Sequence, residues 1–195
     1  MIAHDRRGIA EEAARIICVE HLIDYGLAKR KAVQRLGLPP GTPLPDNAAV
    51  QDAVVEYQRL FGGDAYRRQL ARMRATAVAA LRLFARHSPR LVGATISGAI
   101  TPAHRVQLHV FCDAVEEIDV ELIDRGVAFE QGERRYCYPH GGEQRVPLLR
   151  LEFGGIGVDV AVFPVDEIRR APINPFDGRP YRRIDLAEAE RLAGP

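Results

Sequence analysis

The spacing of apolar residues changes once along this chain, and that change limits the folds available to it. Up to about residue 88, apolar residues such as Ile9, Ala13 and Ile16 recur at helical spacing. From Leu91 onward, short alternating or continuous apolar runs predict strands. Helices followed by a mostly antiparallel sheet are typical of the α+β class. We therefore predict an α+β fold in which an N-terminal helical unit packs on the sheet.

These patterns predict a helical unit at residues 1–88 and an α+β domain at residues 89–195, which ends in a loop and a short helix. We place the strands at 91–96, 106–112, 127–138, 145–153 and 156–163. Gly154 and Gly155 predict a two-residue hairpin turn between the last two strands, because both positions accept positive φ. The patterns leave open whether the helices form a domain of their own or cover one face of the sheet.

Composition argues against several classes of function. The chain has 27 basic and 26 acidic residues, so it has no overall charge that attracts nucleic acid or an anionic membrane. Its cysteines, Cys18, Cys112 and Cys137, include no close pair, which argues against a disulfide framework and a CxxC metal site. No apolar run approaches the roughly 18 residues that a membrane span requires. We expect a cytoplasmic protein that does not enter a membrane.

Polar residues interrupt two of the predicted strands. Gln107 and His109 lie two residues apart, so in a strand their side chains project from the same face. Asp159 is a lone carboxylate within the apolar run GVDVAVF. Ser97-Gly98 precedes the first of these strands, at the end of an earlier apolar run. These residues are the candidates for a functional site.

This order of features, over about residues 90–163, resembles the nucleotidyltransferase superfamily. In that superfamily a hydrophobic residue and a Gly-Gly or Gly-Ser turn precede an Asp-hydrophobic-Asp strand that holds magnesium. Ser97-Gly98 matches the turn, Asp159 matches a third acid, and Gln107 and His109 stand where the paired acids would stand. The resemblance implies that Ser97-Gly98 holds phosphate and that Asp159 and His109 are metal ligands.

The missing acids predict a degenerate site. Magnesium prefers oxygen ligands, and two-metal phosphoryl transfer needs several negative charges to hold its ions. Gln107 offers only a neutral carbonyl oxygen, and the imidazole of His109 suits softer metals. We expect weak magnesium binding, and weak or lost transfer of a bound nucleotide or other phosphate-bearing ligand. If transfer persists, Asp159 would bind the metal, and His109 would be a ligand or general base.

Structural explanations remain open for these residues. His109 and Asp159 are equally explained as a hydrogen-bonded pair on adjacent strands, because buried polar groups need partners. Ser97-Gly98 is a common turn dipeptide. Asp119-Val120-Glu121 offers a second acid-hydrophobic-acid match. However, the D-x-x-E capping box of Asp113 and Glu116 and the helix-ending Gly126 predict a helix, where residues two apart diverge. We therefore expect these two acids to lie on a solvated helix face.

Two basic segments offer further candidates. Arg179, Arg182 and Arg183 lie in the loop 174–183, where guanidinium groups could clamp a phosphate or the loop could fasten the C-terminal tail. The segment 27–38 is a basic helix preceded by another helix, as in helix-turn-helix DNA-binding modules. The near-neutral net charge argues against DNA binding. The alternative function is a non-catalytic interaction protein whose helical half binds a partner protein or DNA.

Overall fold

The computed structural model describes residues 2–139 and 141–194, with side chains from Arg6 onward. The helices are α1 (Ile2–Glu20), α2 (Tyr25–Arg35), α3 (Asn47–Phe61), α4 (Gly63–Leu83), α5 (Ala94–Ser97), α6 (Val115–Asp124) and α7 (Leu186–Ala193). The strands are β1 (Arg90–Val92), β2 (Val106–Phe111), β3 (Phe129–Cys137), β4 (Glu143–Phe153) and β5 (Ile156–Phe163). Short 3-10 helices cover Ala85–His87 and Val165–Arg169. This combination of N-terminal helices and a mixed sheet confirms the predicted α+β class.

The chain divides into two compact units. The first contains the chain up to Leu70 together with Ser97–His104, and the second contains Ala71–Ile96 and the chain from Arg105 onward. The domain boundary predicted between residues 88 and 89 stays a prediction. Within the described range, no helix combines the length and apolar character that crossing a membrane would need.

The first unit contains α1, α2 and α3, whose ends follow from local sequence. The carboxylate of Asp46 accepts a hydrogen bond from the backbone nitrogen of Ala49 at 2.7 Å and caps the start of α3. Gly37 has a φ of 64°, and it follows the end of α2. On α2, Lys31 and Arg35 form ion pairs with Glu20 of α1. These pairs neutralise part of the basic helix considered for DNA binding.

The second unit contains a five-stranded sheet with the order β1-β2-β5-β4-β3. β2 and β5 are parallel and the other neighbouring pairs are antiparallel, so the sheet is mostly antiparallel as predicted. β4 and β5 are joined through Gly154 and Gly155, which both have positive φ, and this confirms the predicted hairpin. The parallel register places Gln107 directly beside Asp159.

The two faces of the sheet differ in polarity. On one face, Val106, Leu108 and Val110 of β2 are fully buried, as are the valines of β5 that alternate in the same way. The opposite face, which we call the polar face, carries the candidate residues of β2 and β5. An aromatic and aliphatic cluster covers part of the polar face and contains Phe111, Tyr136, Val146, Leu148, Ala161 and Phe163. The polar face therefore combines charged groups with a packed core.

The segment after β5, residues 164–184, crosses the polar face, and we call it the C-terminal strap. The backbone nitrogen of Ile173 donates to the carbonyl of Cys137 on β3 at 2.7 Å. Ile184 exchanges backbone hydrogen bonds of 2.9 and 3.0 Å with Leu91 on β1. Because β3 and β1 are the two outer strands, the strap spans the width of the sheet. Tyr181, between these two attachments, packs against the aromatic cluster.

The first predicted strand, residues 91–96, is wrong in its second half. β1 ends at Val92, and α5 begins at Ala94. Gly93 between them has a φ of 82°, which turns the chain out of the strand. A Cβ atom at this position would lie only 2.9 Å from Oε1 of Gln107. A glycine at this position therefore leaves room for the Gln107 side chain.

Candidate functional site

Three of the predicted site residues lie on two neighbouring strands of the polar face. Asp159 on β5 is opposite Gln107 on β2, and His109 projects from the same face one register step further along. Asp159 is 6% exposed and His109 is 1% exposed. The strand periodicity therefore predicted correctly that Gln107 and His109 share one face of the sheet.

Two arginines bind the carboxylate of Asp159, and we call this group the Asp159 clamp (Arg105, Arg134 and Asp159). Nε of Arg105 donates to Oδ1 at 2.6 Å, and Nη2 of Arg134 donates to Oδ2 at 2.7 Å. Arg105 also donates to the carbonyl of Leu151 at 3.2 Å. Both carboxylate oxygens are thus engaged, and two positive charges face one negative charge. The clamp as a whole is cationic.

The clamp remains accessible to solvent on its arginine side. The side chain of Arg105 is 40% exposed and that of Arg134 is 32% exposed. Arg150 on β4 is exposed and stands opposite Asp159 in the antiparallel register, so it lies on the same face. Three guanidinium groups therefore border the site near Gln107. Such groups recognise phosphate and carboxylate through paired N–H donors.

Gly157 determines where the Arg105 side chain can lie. A Cβ atom at this position would be 2.1 Å from Nη1 of Arg105, a separation that no real pair of atoms tolerates. Arg105 packs directly over this glycine and reaches Asp159 two residues later on β5. The glycine therefore permits the geometry of the clamp.

His109 is held by an arginine from the strap and by aromatic rings. Nε of Arg183 donates to Nδ1 of His109 at 3.1 Å. Ring centroids of Phe163, Tyr181 and Tyr136 lie 4.7, 5.0 and 5.4 Å from the imidazole. Burial, followed by the charges of Arg183 and Arg134, holds the pKa of His109 well below its ordinary value. The imidazole is therefore neutral at neutral pH.

Arg183 fastens the strap to the sheet. Its Nη1 atom donates to the backbone carbonyls of Glu167, Ile168 and Arg170 at 3.0, 3.3 and 3.3 Å. Its guanidinium lies over the rings of Phe111 and Phe163, at 5.0 and 5.4 Å from their centroids. Burial lowers the pKa of Arg183, in opposition to nearby acidic groups. These contacts make Arg183 the link between the strap and the polar face.

The other residues predicted to contact phosphate take part in hydrogen bonds within the protein. Ser97 and Gly98 belong to the first unit, where the hydroxyl of Tyr66 donates to the carbonyl of Gly98 at 2.9 Å. On the strap, Nη2 of Arg182 bonds Glu188 at 2.6 Å, and the backbone nitrogen of Arg179 bonds Asp177 at 3.0 Å. The roles predicted for these residues in binding phosphate stay predictions.

Two of the alternatives are resolved by the geometry. The hydrogen-bonded pair of His109 and Asp159 is wrong, because each side chain bonds arginines and Nε2 of His109 has no hydrogen-bond partner among the described residues. Asp119 and Glu121 lie on α6, which confirms the predicted helix. In the described part of the chain, no group of three or more His, Cys, Asp or Glu side chains could hold a metal ion.

The sequence did not predict that Arg105, Arg134 and Arg183 lie at this site. Arg105 and Arg134 are 54 and 25 positions from Asp159 in the sequence, so spacing gave no sign of their contact. Arg183 was considered only as part of the loop that could clamp phosphate.

Comparisons with known proteins give little further information. No protein-family model matches the chain, and no curated protein matches it. Among solved structures, the chain is weakly similar to a cytoplasmic RNA terminal U-transferase, with 19% sequence identity and a TM-score of 0.32. The match covers 51% of this chain and 29% of that protein's chain. Similarity at this level supports no statement about the activity or substrate of this chain.

Proposed function

We propose that the polar face binds a phosphate-bearing ligand such as a nucleotide, and that nucleotide transfer is weak or lost. The observation that carries this proposal is the Asp159 clamp, in which two arginines engage both oxygens of the single carboxylate. A cationic, half-exposed clamp favours an anion over a metal cation. The exposed guanidinium of Arg150 on the same face adds to this preference.

The residues at this position do not fit a magnesium ion. Magnesium requires several oxygen ligands, and the oxygens of Asp159 are already bonded to Arg105 and Arg134. Gln107 contributes no charge, and Nδ1 of His109 accepts a hydrogen bond from Arg183. A metal would have to displace two charge-assisted hydrogen bonds to reach the carboxylate. We therefore propose that the arginines compensate the phosphate charge without a metal.

Each arginine has a distinct part in the proposed complex. Asp159 fixes the directions of Arg105 and Arg134, which reduces the conformational entropy that the ligand must remove. The remaining N–H groups of both arginines are available to phosphate oxygens on the exposed side. Gln107, which is partly buried beside Asp159, can hydrogen-bond the ligand through its amide. His109 lies too deep, at 1% exposure, to act as a general base in this complex.

A thermal-shift experiment tests this proposal. We expect ATP, GTP, CTP or UTP to raise the melting temperature in EDTA as well as in magnesium, because a ligand that binds only the folded state stabilises it. Arg134→Gln should abolish the shift. Arg145→Gln is the matched control on the neighbouring strand, because Arg145 is exposed and pairs only loosely with Glu133, at 3.7 Å.

Two results would contradict the proposal. The first is an absence of stabilisation by every nucleotide and by inorganic pyrophosphate. The second is a magnesium-dependent transfer of a nucleotide from ATP that Asp159→Ala abolishes. In the second case, Asp159 would be a metal ligand and the contacts with Arg105 and Arg134 would break during the reaction.

A second candidate function rests on the first unit. Leu60 and Phe61 at the end of α3 are 55% and 69% exposed, and Val19 and Ile23 near the end of α1 are exposed to a similar degree. Exposed apolar side chains in groups are typical of surfaces that bind another protein. If no nucleotide binds, we expect Phe61→Asp to weaken binding of a protein partner while leaving the melting temperature unchanged.

A further inference from the structure

The outer edge of β3 is open along most of its length. Among the described residues, the strap bonds this edge only at Cys137, whose carbonyl accepts from the backbone nitrogen of Ile173 at 2.7 Å. Backbone groups of a strand alternate between its two sides, so Gln131, Glu133 and Arg135 also direct theirs away from β4. These three residues are exposed, and no described backbone group bonds their outward side. The edge before Cys137 therefore offers hydrogen-bond donors and acceptors to another strand.

The open part of the edge, residues 129–135, has Gly132 at its centre. Two identical strands that pair antiparallel are related by a twofold axis, and each residue then faces the one at the same distance from the axis. An axis at Gly132 uses the whole open edge. Gln131 then faces Glu133 of the second copy, and Phe129 faces Arg135. The outward backbone groups of these pairs meet and can exchange hydrogen bonds.

The charges on β3 suit this register better than its neighbours. Glu130 lies opposite Arg134 of the second copy, and no two like charges face each other. Moving the axis to Glu133 would place this carboxylate opposite itself. Moving it to Gln131 would leave Arg135 outside the pairing. Charged residues protect an edge strand when like charges meet, so the order of charges on β3 permits one pairing and opposes the others.

Glu130 would stand between two arginines in the paired sheet. Within the chain it is opposite Arg150 on β4, and neither side chain forms an ion pair among the described residues. Across the axis it faces Arg134, whose Nη2 remains on Asp159 at 2.7 Å. The pairing therefore leaves the Asp159 clamp intact and does not depend on the proposed function.

We propose that a second copy of this chain pairs with β3 antiparallel about Gly132, so that a twofold dimer joins the two five-stranded sheets. The second copy supplies the donors and acceptors that residues 129–135 lack, and it supplies charges in the matching order. The backbone hydrogen bonds hold the strands together, and the facing side chains fix the register.

Disulfide trapping tests the register. At the axis the Cα atoms of the two Gly132 residues would lie about 4.5 Å apart, within the range that a disulfide spans. Gly132→Cys should therefore form a covalent dimer on mild oxidation. The new side chain would lie 3.3 Å from Nη1 of Arg150, the far end of a flexible side chain that can move away. The variant is made together with Cys137→Ser, which removes the exposed native thiol.

Glu130→Cys in the same Cys137→Ser protein is the matched control. It lies on the same face of β3, but in the proposed register its two copies would be roughly 14 Å apart, beyond the reach of a disulfide. Equal cross-linking of the two variants would overturn the proposal. An absence of cross-linking in Gly132→Cys would overturn it as well.

Sedimentation equilibrium tests the association without a covalent bond. We expect the unmodified protein to show a monomer–dimer equilibrium. Glu133→Pro should weaken the dimer about tenfold or more, because proline removes an N–H that points to the second copy rather than to β4. Glu133→Ala removes the same carboxylate but keeps the N–H, so its dimer should change by about threefold or less.

Two outcomes of this measurement would contradict the proposal. One is an unmodified chain that remains monomeric up to about 1 mM, a concentration at which even a weak dimer forms. The other is a dimer that Glu133→Pro leaves unchanged, because the association would then use another surface. If Glu133→Pro does not fold, as its melting curve would show, the comparison of Gly132→Cys with Glu130→Cys decides alone.

Discussion

Asp159 and His109 lie on adjacent strands of one sheet face, yet their surroundings differ. Asp159 bonds two arginines whose side chains are 40% and 32% exposed. His109 bonds one arginine of the strap, and it is only 1% exposed among aromatic rings. Water and ligands can therefore reach the cations around Asp159, whereas His109 is part of a packed interior. Polar residues on one pair of neighbouring strands can thus be accessible to a ligand at one position and be packed in the interior two residues further along.

Among the substitutions that test this comparison, Phe163→Ala should cause the largest loss in the free energy of unfolding. Phe163 is fully buried under His109, and it contacts Tyr136 and the guanidinium of Arg183. We expect a loss of about 4 kcal/mol in the free energy of unfolding, from lost burial and the cavity that remains. Urea unfolding measures it. Phe61→Ala, at a position 69% exposed, is the control and should cost about 0.5 kcal/mol or less.

A small loss in Phe163→Ala would mean that the His109 side of the face is not tightly packed. The contrast with the Asp159 clamp would then disappear.

Asp159→Ala should have the next largest effect. This change leaves Arg105 and Arg134 without their shared carboxylate. We expect a loss of about 3 kcal/mol in the free energy of unfolding, at the low end for a broken buried ion pair, because solvent reaches both guanidinium groups. Asp159→Asn keeps the shape and should cost less. Urea unfolding compares both variants with Glu133→Ala, which removes an exposed, loosely paired carboxylate.

If Asp159→Ala were as stable as the unmodified protein, the clamp would not contribute to folding. Asp159 would then be free to serve a ligand or a metal.

Gly157→Ala should separate stability from binding at the clamp. The new Cβ would lie 2.1 Å from Nη1 of Arg105 and would push this flexible side chain away from Asp159. We expect a loss of about 1 kcal/mol in the free energy of unfolding, as for one partly exposed ion pair. The nucleotide-induced thermal shift should fall far more than stability does. An unchanged shift would show that Arg105 takes no part in binding.

The pH dependence of stability should reveal the burial of His109, with the smallest effect of the four. Burial holds the pKa of folded His109 well below 6.5, its ordinary value. The unfolded chain therefore binds more protons than the folded chain as the pH falls through 6.5 toward the folded pKa. The stability that neutral His109 contributes is complete above this window and is lost within it.

His109→Phe tests this sign directly. Urea unfolding at about pH 7 and about pH 5.5 should show a smaller loss in the variant than in the unmodified protein. His104, whose pKa is also lowered by burial, titrates in both proteins and so cancels in the difference. An equal loss in both proteins would mean that the folded protein protonates His109 as readily as the unfolded chain does.

Local sequence predicted much of the fold. The end of α6 before Gly126 and the hairpin at Gly154 and Gly155 both depend on residues close in sequence, and both are confirmed. The predicted cap at Asp113 is wrong, because its carboxylate accepts from the backbone nitrogen of Val165, 52 positions away. The carboxylate of Asp113 therefore bonds a backbone nitrogen that is distant in sequence and does not cap α6.

The candidate site shows the same limit. Strand periodicity placed Gln107 and His109 on one face, since side-chain direction in a strand is a local property, and the family resemblance placed Asp159 beside them. It could not predict that Arg105 and Arg134 engage Asp159, or that the strap covers His109, because these contacts join segments far apart in sequence. The carboxylate identified as a metal ligand thus has partners that only the tertiary structure reveals.

The C-terminal strap also has a consequence for synthesis of the chain. Ile173 and Ile184 occupy backbone groups on the free sides of β3 and β1, the two strands that would otherwise offer open edges to another molecule. A ribosome must add some twenty residues beyond β5 before these edges are occupied. During that interval the nascent sheet is vulnerable to pairing with other chains, and a stop codon after Phe163 would make that vulnerability permanent.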